Sequence, residues 1–289
     1  MPGWTLWALL GCGGAGGGSL REDTALIEQI VSVEQPAPAE LTDCPESLDL
    51  LPEPLGSSQA VEAPALVVVF KRPYKLGLYQ RGRLVHDGGV RGCFPISMGV
   101  TPFEPKRVMD FSSTPEGWYT VAERRSSDPA DGLPSTRYGH ALLISYPSLQ
   151  DVREARRDGL IDEHTAQGLL GALEAGRLPS QTSAMGGSIL IHEWATGPAH
   201  FTEGCVGVDR EPMRWLFGRV AAGAPILILP WRLVLREDGS WARDERAMEP
   251  LDEAWRRELG GMFEAAARDE RGRITLPELL ITGDPPPPR

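Results

Sequence analysis

Positive charge is scarce in this chain: 29 Lys and Arg stand against 40 Asp and Glu, giving a formal net charge of −11 and an isoelectric point near 5.0. Phosphate backbones are held by clustered cations, so no nucleic-acid partner is expected. Long apolar runs are missing too, and nothing approaches the roughly twenty residues that span a bilayer as a helix. Cysteine is sparse, with four in 289 residues, and none of the five histidines stands at metal-ligand spacing from a cysteine pair. No metal and no cofactor are therefore expected.

What is present divides the chain into one main domain with appendages. Residues 1–19 hold a short apolar run ending in Leu-Leu-Gly-Cys12, followed by a glycine-rich stretch. That ending resembles the lipobox of bacterial lipoproteins, which implies a leader, a lipid anchor at Cys12 and a flexible spacer, although no Lys or Arg precedes the run. Residues 20–64 read as a short amphipathic helix over 20–35 and a proline-rich tether.

From 65 to 232 the pattern is mainly β with α insertions. Strands are expected at Leu66–Phe70, Leu76–Tyr79, Arg83–His86, Phe94–Met98, Trp118–Glu123, Ala141–Ser145 and Pro225–Leu229, with Gln80-Arg81-Gly82 as a hairpin turn. Two helices interrupt them, Asp151–Arg157 capped by Ser148 and Asp162–Ala175, and a third covers Glu211–Val220 with Pro212 near its start. The result is a curved sheet or small barrel carrying a helical insertion. Residues 233–289 form an appendage whose Asp269–Glu278 stretch has the Gly, Ile and Glu spacing of an EF-hand loop. Ala267 and Arg271 occupy two of its ligand positions, so it reads as a degenerate helix-loop-helix that binds no calcium, followed by a proline tail.

The chemistry gathers at two short motifs. Ser188–Ile191 is an apolar run closed by His192, and thirteen residues after that histidine comes Cys205, preceded by Gly204. A thiol attacks as thiolate, so a reactive cysteine needs a base or a positive field to lower its pKa. A strand end holds an imidazole firmly, and the amides of Gly204 and Cys205 are placed to face a developing oxyanion. His200, in a Gly-Pro-Ala-His loop, is the rival base, whereas His86, His140 and His164 read as structural or surface residues. Tyr146, Glu193 and Glu203 are the remaining side chains near these motifs that are candidates for touching a substrate.

Upstream lie Gly-Leu-Tyr at 77–79, Phe-Pro-Ile-Ser-Met-Gly at 94–99, Ser-Thr-Pro-Glu-Gly-Trp-Tyr-Thr at 113–120 and Leu-Leu-Ile-Ser-Tyr-Pro at 142–147. In this order before Ile-His and Gly-Cys, they resemble the L,D-transpeptidase (YkuD-type) catalytic domain, in the branch with a Tyr-Pro and inserted helices before the histidine strand. The resemblance implies a β-sandwich or barrel-like core and a bacterial envelope enzyme acting on peptidoglycan stem peptides. It also implies Cys205 as the nucleophile that forms a thioester and His192 as its base, and it places the inserted helices beside the cleft. Three positions depart from the family pattern. Glu193 stands where glycine usually follows the histidine, Glu203 replaces a histidine or aspartate, and Gly207 takes the place of an arginine.

Transfer to an amine, hydrolysis by water, and a binding protein without turnover all remain open at this point. The implied location is periplasmic, or the outer membrane for a lipoprotein. In that oxidising compartment Cys44 and Cys93 are left for a disulfide, the alternative being two independent thiols. The oligomeric state is not legible.

Overall fold

The computed structural model describes residues 41–49, 61–102, 105–109, 113–197, 200–231 and 233–236, with the backbone of three short strands beyond them. The leader with Cys12, the helix expected over 20–35, part of the tether and the proline tail lie outside the described residues. So does the EF-hand-like segment, apart from two short antiparallel strands, Ala267–Arg268 and Ile274–Thr275.

The strands in chain order are β1 (Leu66–Phe70), β2 (Lys75–Gln80), β3 (Arg83–Leu84), β4 (His86–Asp87), β5 (Val90–Arg91), β6 (Cys93–Ser97), β7 (Gly117–Ser126), β8 (His140–Ile144), β9 (Leu190–Glu193), β10 (Val206–Val208) and β11 (Pro225–Leu229). Eight of them run β1-β11-β7-β8-β9-β10-β6-β2, and β2 pairs back onto β1, so the sheet closes into a barrel with β3 attached outside. The β2–β3 turn places Arg81 and Gly82 at φ 48° and 72°, the left-handed pair that a tight two-residue hairpin needs.

Alternation explains why the strands are this apolar. Val67 and Val69 of β1, Leu142 and Ile144 of β8, Ile191 of β9, Val206 and Val208 of β10 and Ile226 and Ile228 of β11 all point into one interior core. Each such side chain contributes roughly 1.5–3 kcal/mol by leaving water. The other faces of β1 and β11 are covered as well, by Cys44, Leu48 and Val61 from the segment ahead of the barrel, which is why Leu66–Phe70 is buried without a break. Cys44 and Cys93 are joined in a disulfide that ties this segment to β6.

Between β8 and β9 sit α1 (Leu149–Arg157) and α2 (Glu163–Glu174). Ser148 and Asp151 form a reciprocal cap at the start of α1, and the Asp162 side chain accepts the Thr165 amide at the start of α2. The pair buries a small core of its own around Val152, Ala155, Ile161, Ala166 and Leu169. Helix α3 (Arg210–Phe217) follows β10 and seals the interior with Met213, Leu216 and Phe217.

Candidate active site

β9 and β10 are neighbours in parallel register, with Ile191 opposite Val206 and His192 opposite Gly207. Since Ile191, Val206 and Val208 face the interior, the period of two sends His192 and Cys205 to the outer face of the same two strands. Both line one cleft of about 560 Å³. Residues thirteen apart in sequence thus share a floor because a parallel pairing brings their strands together.

His192 is 2% exposed. The Tyr138 ring stacks on its imidazole, with centroids 3.7 Å apart at 18°, and Trp194 meets it edge-on at 5.9 Å. Its Nδ1–H donates to the Glu193 carbonyl at 2.9 Å. A carbonyl only accepts, so the proton sits on Nδ1 and the Nε2 lone pair is left as the basic site. Burial lowers the imidazole pKa to about 4, against the Glu193 carbonyl, which raises it, and with a further lowering by the Arg137 charge.

Cys205 is half-buried and free. Its sulfur takes the Leu190 amide at 3.4 Å and directs its proton toward the Ser188 carbonyl at 3.7 Å. Burial pushes the thiol up to about 11. The Leu190 amide, Arg137 and Lys106 pull it down, and Glu203 pushes it further up. The expectation of a thiol lowered toward neutrality therefore does not hold in the resting site, because desolvation outweighs the cations around the sulfur.

Gly204 is required by its surroundings: φ is 105°, and a Cβ there would stand 2.6 Å from the Ser113 carbonyl oxygen. Its amide is already engaged, donating to Thr202 Oγ1 at 3.2 Å, while the Thr202 hydroxyl donates to the Cys205 carbonyl at 2.6 Å. Of the two amides expected to receive an oxyanion, Gly204 is thus spoken for by the turn.

The other sequence candidates separate cleanly. Glu203 lines the cleft. Tyr146 does not: it is fully buried and its hydroxyl donates to the Met185 carbonyl at 3.2 Å. The Glu193 carboxylate takes His140 Nδ1 at 3.1 Å and Arg210 Nε at 3.3 Å, so the residue acts on His192 through its backbone carbonyl. His200 is exposed and is not among the cleft residues. Gly207 leaves room for Trp194, whose Cβ would lie 2.7 Å from a Cβ at that position. Helices α1 and α2 give the described cleft lining no side chain; the loop after them gives Gln181 and Gly186–Ser188. Sequence reasoning missed Arg137, Tyr138 and Trp194, since Ser-Thr-Arg-Tyr-Gly at 135–139 carries no periodic or spacing signal.

A family model described as the L,D-transpeptidase catalytic domain, YkuD, matches residues 66–228. The chain belongs to this family. Its matched segment begins with β1 and ends within β11, so it contains the closed barrel but for the last residue of β11, with both candidate catalytic residues. Among solved structures the chain is similar to Bd1075 of Bdellovibrio bacteriovorus at 20% identity and a TM-score of 0.38, covering 77% of this chain and 63% of that one. It is similar to an L,D-transpeptidase of Xylanimonas cellulosilytica at 15% identity and a TM-score of 0.32, covering 58% and 61%. An L,D-transpeptidase of Mycobacterium tuberculosis H37Rv matches at 17% identity and a TM-score of 0.30, covering 57% of each chain. The chain therefore spans less than two thirds of the length of these structures. No curated protein matches.

Proposed function

We propose that this chain catalyses cysteine-dependent acyl transfer on peptidoglycan stem peptides. The observation that carries the reading is the shared outer face of β9 and β10, where a half-buried thiol and an imidazole with a basic Nε2 line one cleft. In the first step Cys205 Sγ bonds to the acyl carbon of a diaminopimelyl residue while its proton passes to His192 Nε2. The tetrahedral oxyanion is steadied by the Cys205 amide, the one of the two candidate donors not given to Thr202. Collapse breaks the carbon–nitrogen bond, and His192 returns the proton to the departing D-amino acid. In the second step an acceptor amine attacks the thioester, its proton passes through His192 to sulfur, and the carbon–sulfur bond breaks. Water as acceptor turns the same intermediate into a hydrolytic product.

Purified muropeptides incubated with the wild-type chain are expected to gain cross-links or lose a terminal residue, and Cys205→Ala to give neither, as resolved by mass. Product from Cys205→Ala overturns the reading. A folded wild-type chain that is inert on every stem and is not acylated by a carbapenem would leave a binding protein instead. The masses also decide between amine and water as acceptor.

The envelope location belongs to the same proposal. The Cys44–Cys93 disulfide supports it, since such bonds persist in oxidising compartments. Anchoring through Cys12 is tested by fatty-acid labelling, which should vanish in Cys12→Ala.

A further inference from the structure

The cleft is more cationic than the molecule around it. In a chain of net charge −11, its lining carries Lys106, Arg125 and Arg137 against Glu203. Arg125 is paired with Glu123. Arg137 differs in that no carboxylate of the described residues forms an ion pair with it. Its guanidinium lies 5.1 Å from the Tyr138 ring centre and donates Nη2–H to the Tyr138 hydroxyl at 2.9 Å, a neutral acceptor.

Tyr138 in turn lies flat on His192. Three planar groups are therefore linked in series, imidazole, phenol and guanidinium, and the last of them holds a fixed positive charge within reach of the thiol and its base. A guanidinium has five N–H donors, and one is used here. The rest form a fork that matches the two oxygens of a carboxylate, in a cleft whose partly apolar walls strengthen charge recognition. An arginine serving only solubility needs no aromatic platform, and Glu203, the cleft carboxylate whose charge acts on Arg137, forms no ion pair with it.

We propose that Arg137 is the specificity-determining residue through which this site recognises a carboxylate on its acyl donor, with Tyr138 holding it beside His192. The inference rests on the proposed function for the identity of the donor as a stem peptide. Such a donor has two carboxylates near the reacting carbonyl: its chain terminus and the side-chain centre of the diaminopimelyl residue.

Binding is measured by calorimetry on the full chain carrying Cys205→Ala, so that no turnover intervenes. The ligands are a synthetic tetrapeptide stem, the same peptide amidated at its terminus, and the same peptide amidated at the diaminopimelyl side-chain carboxylate. One of the two amides is expected to bind about tenfold or more weakly than the parent, and which one it is identifies the carboxylate recognised. Adding Arg137→Gln should reduce the parent to the affinity of that amide and leave the amide unchanged. Arg137→Lys, which keeps the charge and loses the fork, should fall between them.

Equal binding of all three peptides, no binding of any, or undiminished discrimination in Arg137→Gln each overturns the proposal. The outcomes separate it from the catalytic reading. Arg137-dependent binding without product in the wild-type chain sinks catalysis and keeps this inference. Turnover with unaltered selectivity in Arg137→Gln does the reverse.

Discussion

Burial acts on His192 and Cys205 in opposite directions along the pH scale, because one is charged when protonated and the other when deprotonated. The imidazole falls to about 4 and the thiol rises to about 11. Between those values the resting pair is a neutral thiol beside a neutral base, and the proton must move as the sulfur attacks. Alkylation of Cys205 by iodoacetamide should therefore keep rising with pH into the alkaline range, with no thiolate plateau at neutrality. Glu203→Gln should shift that rise to lower pH and Arg137→Gln to higher pH, following the sign of each charge beside the sulfur. A neutral-pH plateau in the wild type would mean that a thiolate–imidazolium pair exists at rest, contrary to this assignment.

At the scale of the elements, the site is a property of the β9–β10 pairing and the turn that feeds it. Gly204 is where that turn tolerates no side chain: alanine there would meet the Ser113 carbonyl and adopt a left-handed φ. The strain is on the order of 1–3 kcal/mol, and its relief has to move Cys205. A displacement of reacting groups by about 1 Å costs on the order of 100-fold in rate, so Gly204→Ala should lower kcat/KM by about that factor while the circular dichroism spectrum stays that of a folded barrel. Wild-type turnover in this variant would show that the turn does not place the thiol. The same pairing explains two departures from the family pattern. An arginine at 207 would need the space of Trp194, and Glu193 fills the room left beside Gly139, where its carboxylate oxygens would crowd any Cβ. Each unusual residue has a neighbour shaped to receive it.

For the whole molecule, two features make stability depend on conditions, one on redox state and one on pH. The Cys44–Cys93 bridge spans 49 positions, and closing a loop of that size removes about 4 kcal/mol of unfolded-chain entropy. Urea melts with and without reductant, repeated on Cys93→Ala, should show a loss of that order, and coincident melts would show that the segment before β1 is held by packing alone. His192 supplies the second feature. Its folded pKa of about 4 lies below the unfolded value of about 6.5, so between the two only the unfolded chain binds the proton. Its contribution is complete above about pH 6.5 and is lost as pH falls toward 4, a change of about 3 kcal/mol. His192→Gln should flatten that acid limb in thermal melts; an unchanged limb would place the buried charge elsewhere.

Strand periodicity, the Ser148 cap, the Arg81-Gly82 turn and the two motifs around His192 and Cys205 were legible in the sequence, because each depends on neighbours a few residues away. Boundaries moved by a residue or two, as with Leu190–Glu193 where the apolar run began at Ser188, since pairing partners decide where a ladder starts. The environment of the site was not legible. That Tyr138 would lie on His192, that the Glu193 carbonyl and not its carboxylate would fix the tautomer, that Tyr146 would be sealed in the interior, and that Cys44 would reach Cys93 are all products of tertiary packing. Chemistry-bearing residue types are written in the chain, whereas pKa, tautomer and accessibility come from whatever packs against them, and here, apart from the neighbouring Glu193 and Trp194, those groups arrive from strands and loops far away in sequence.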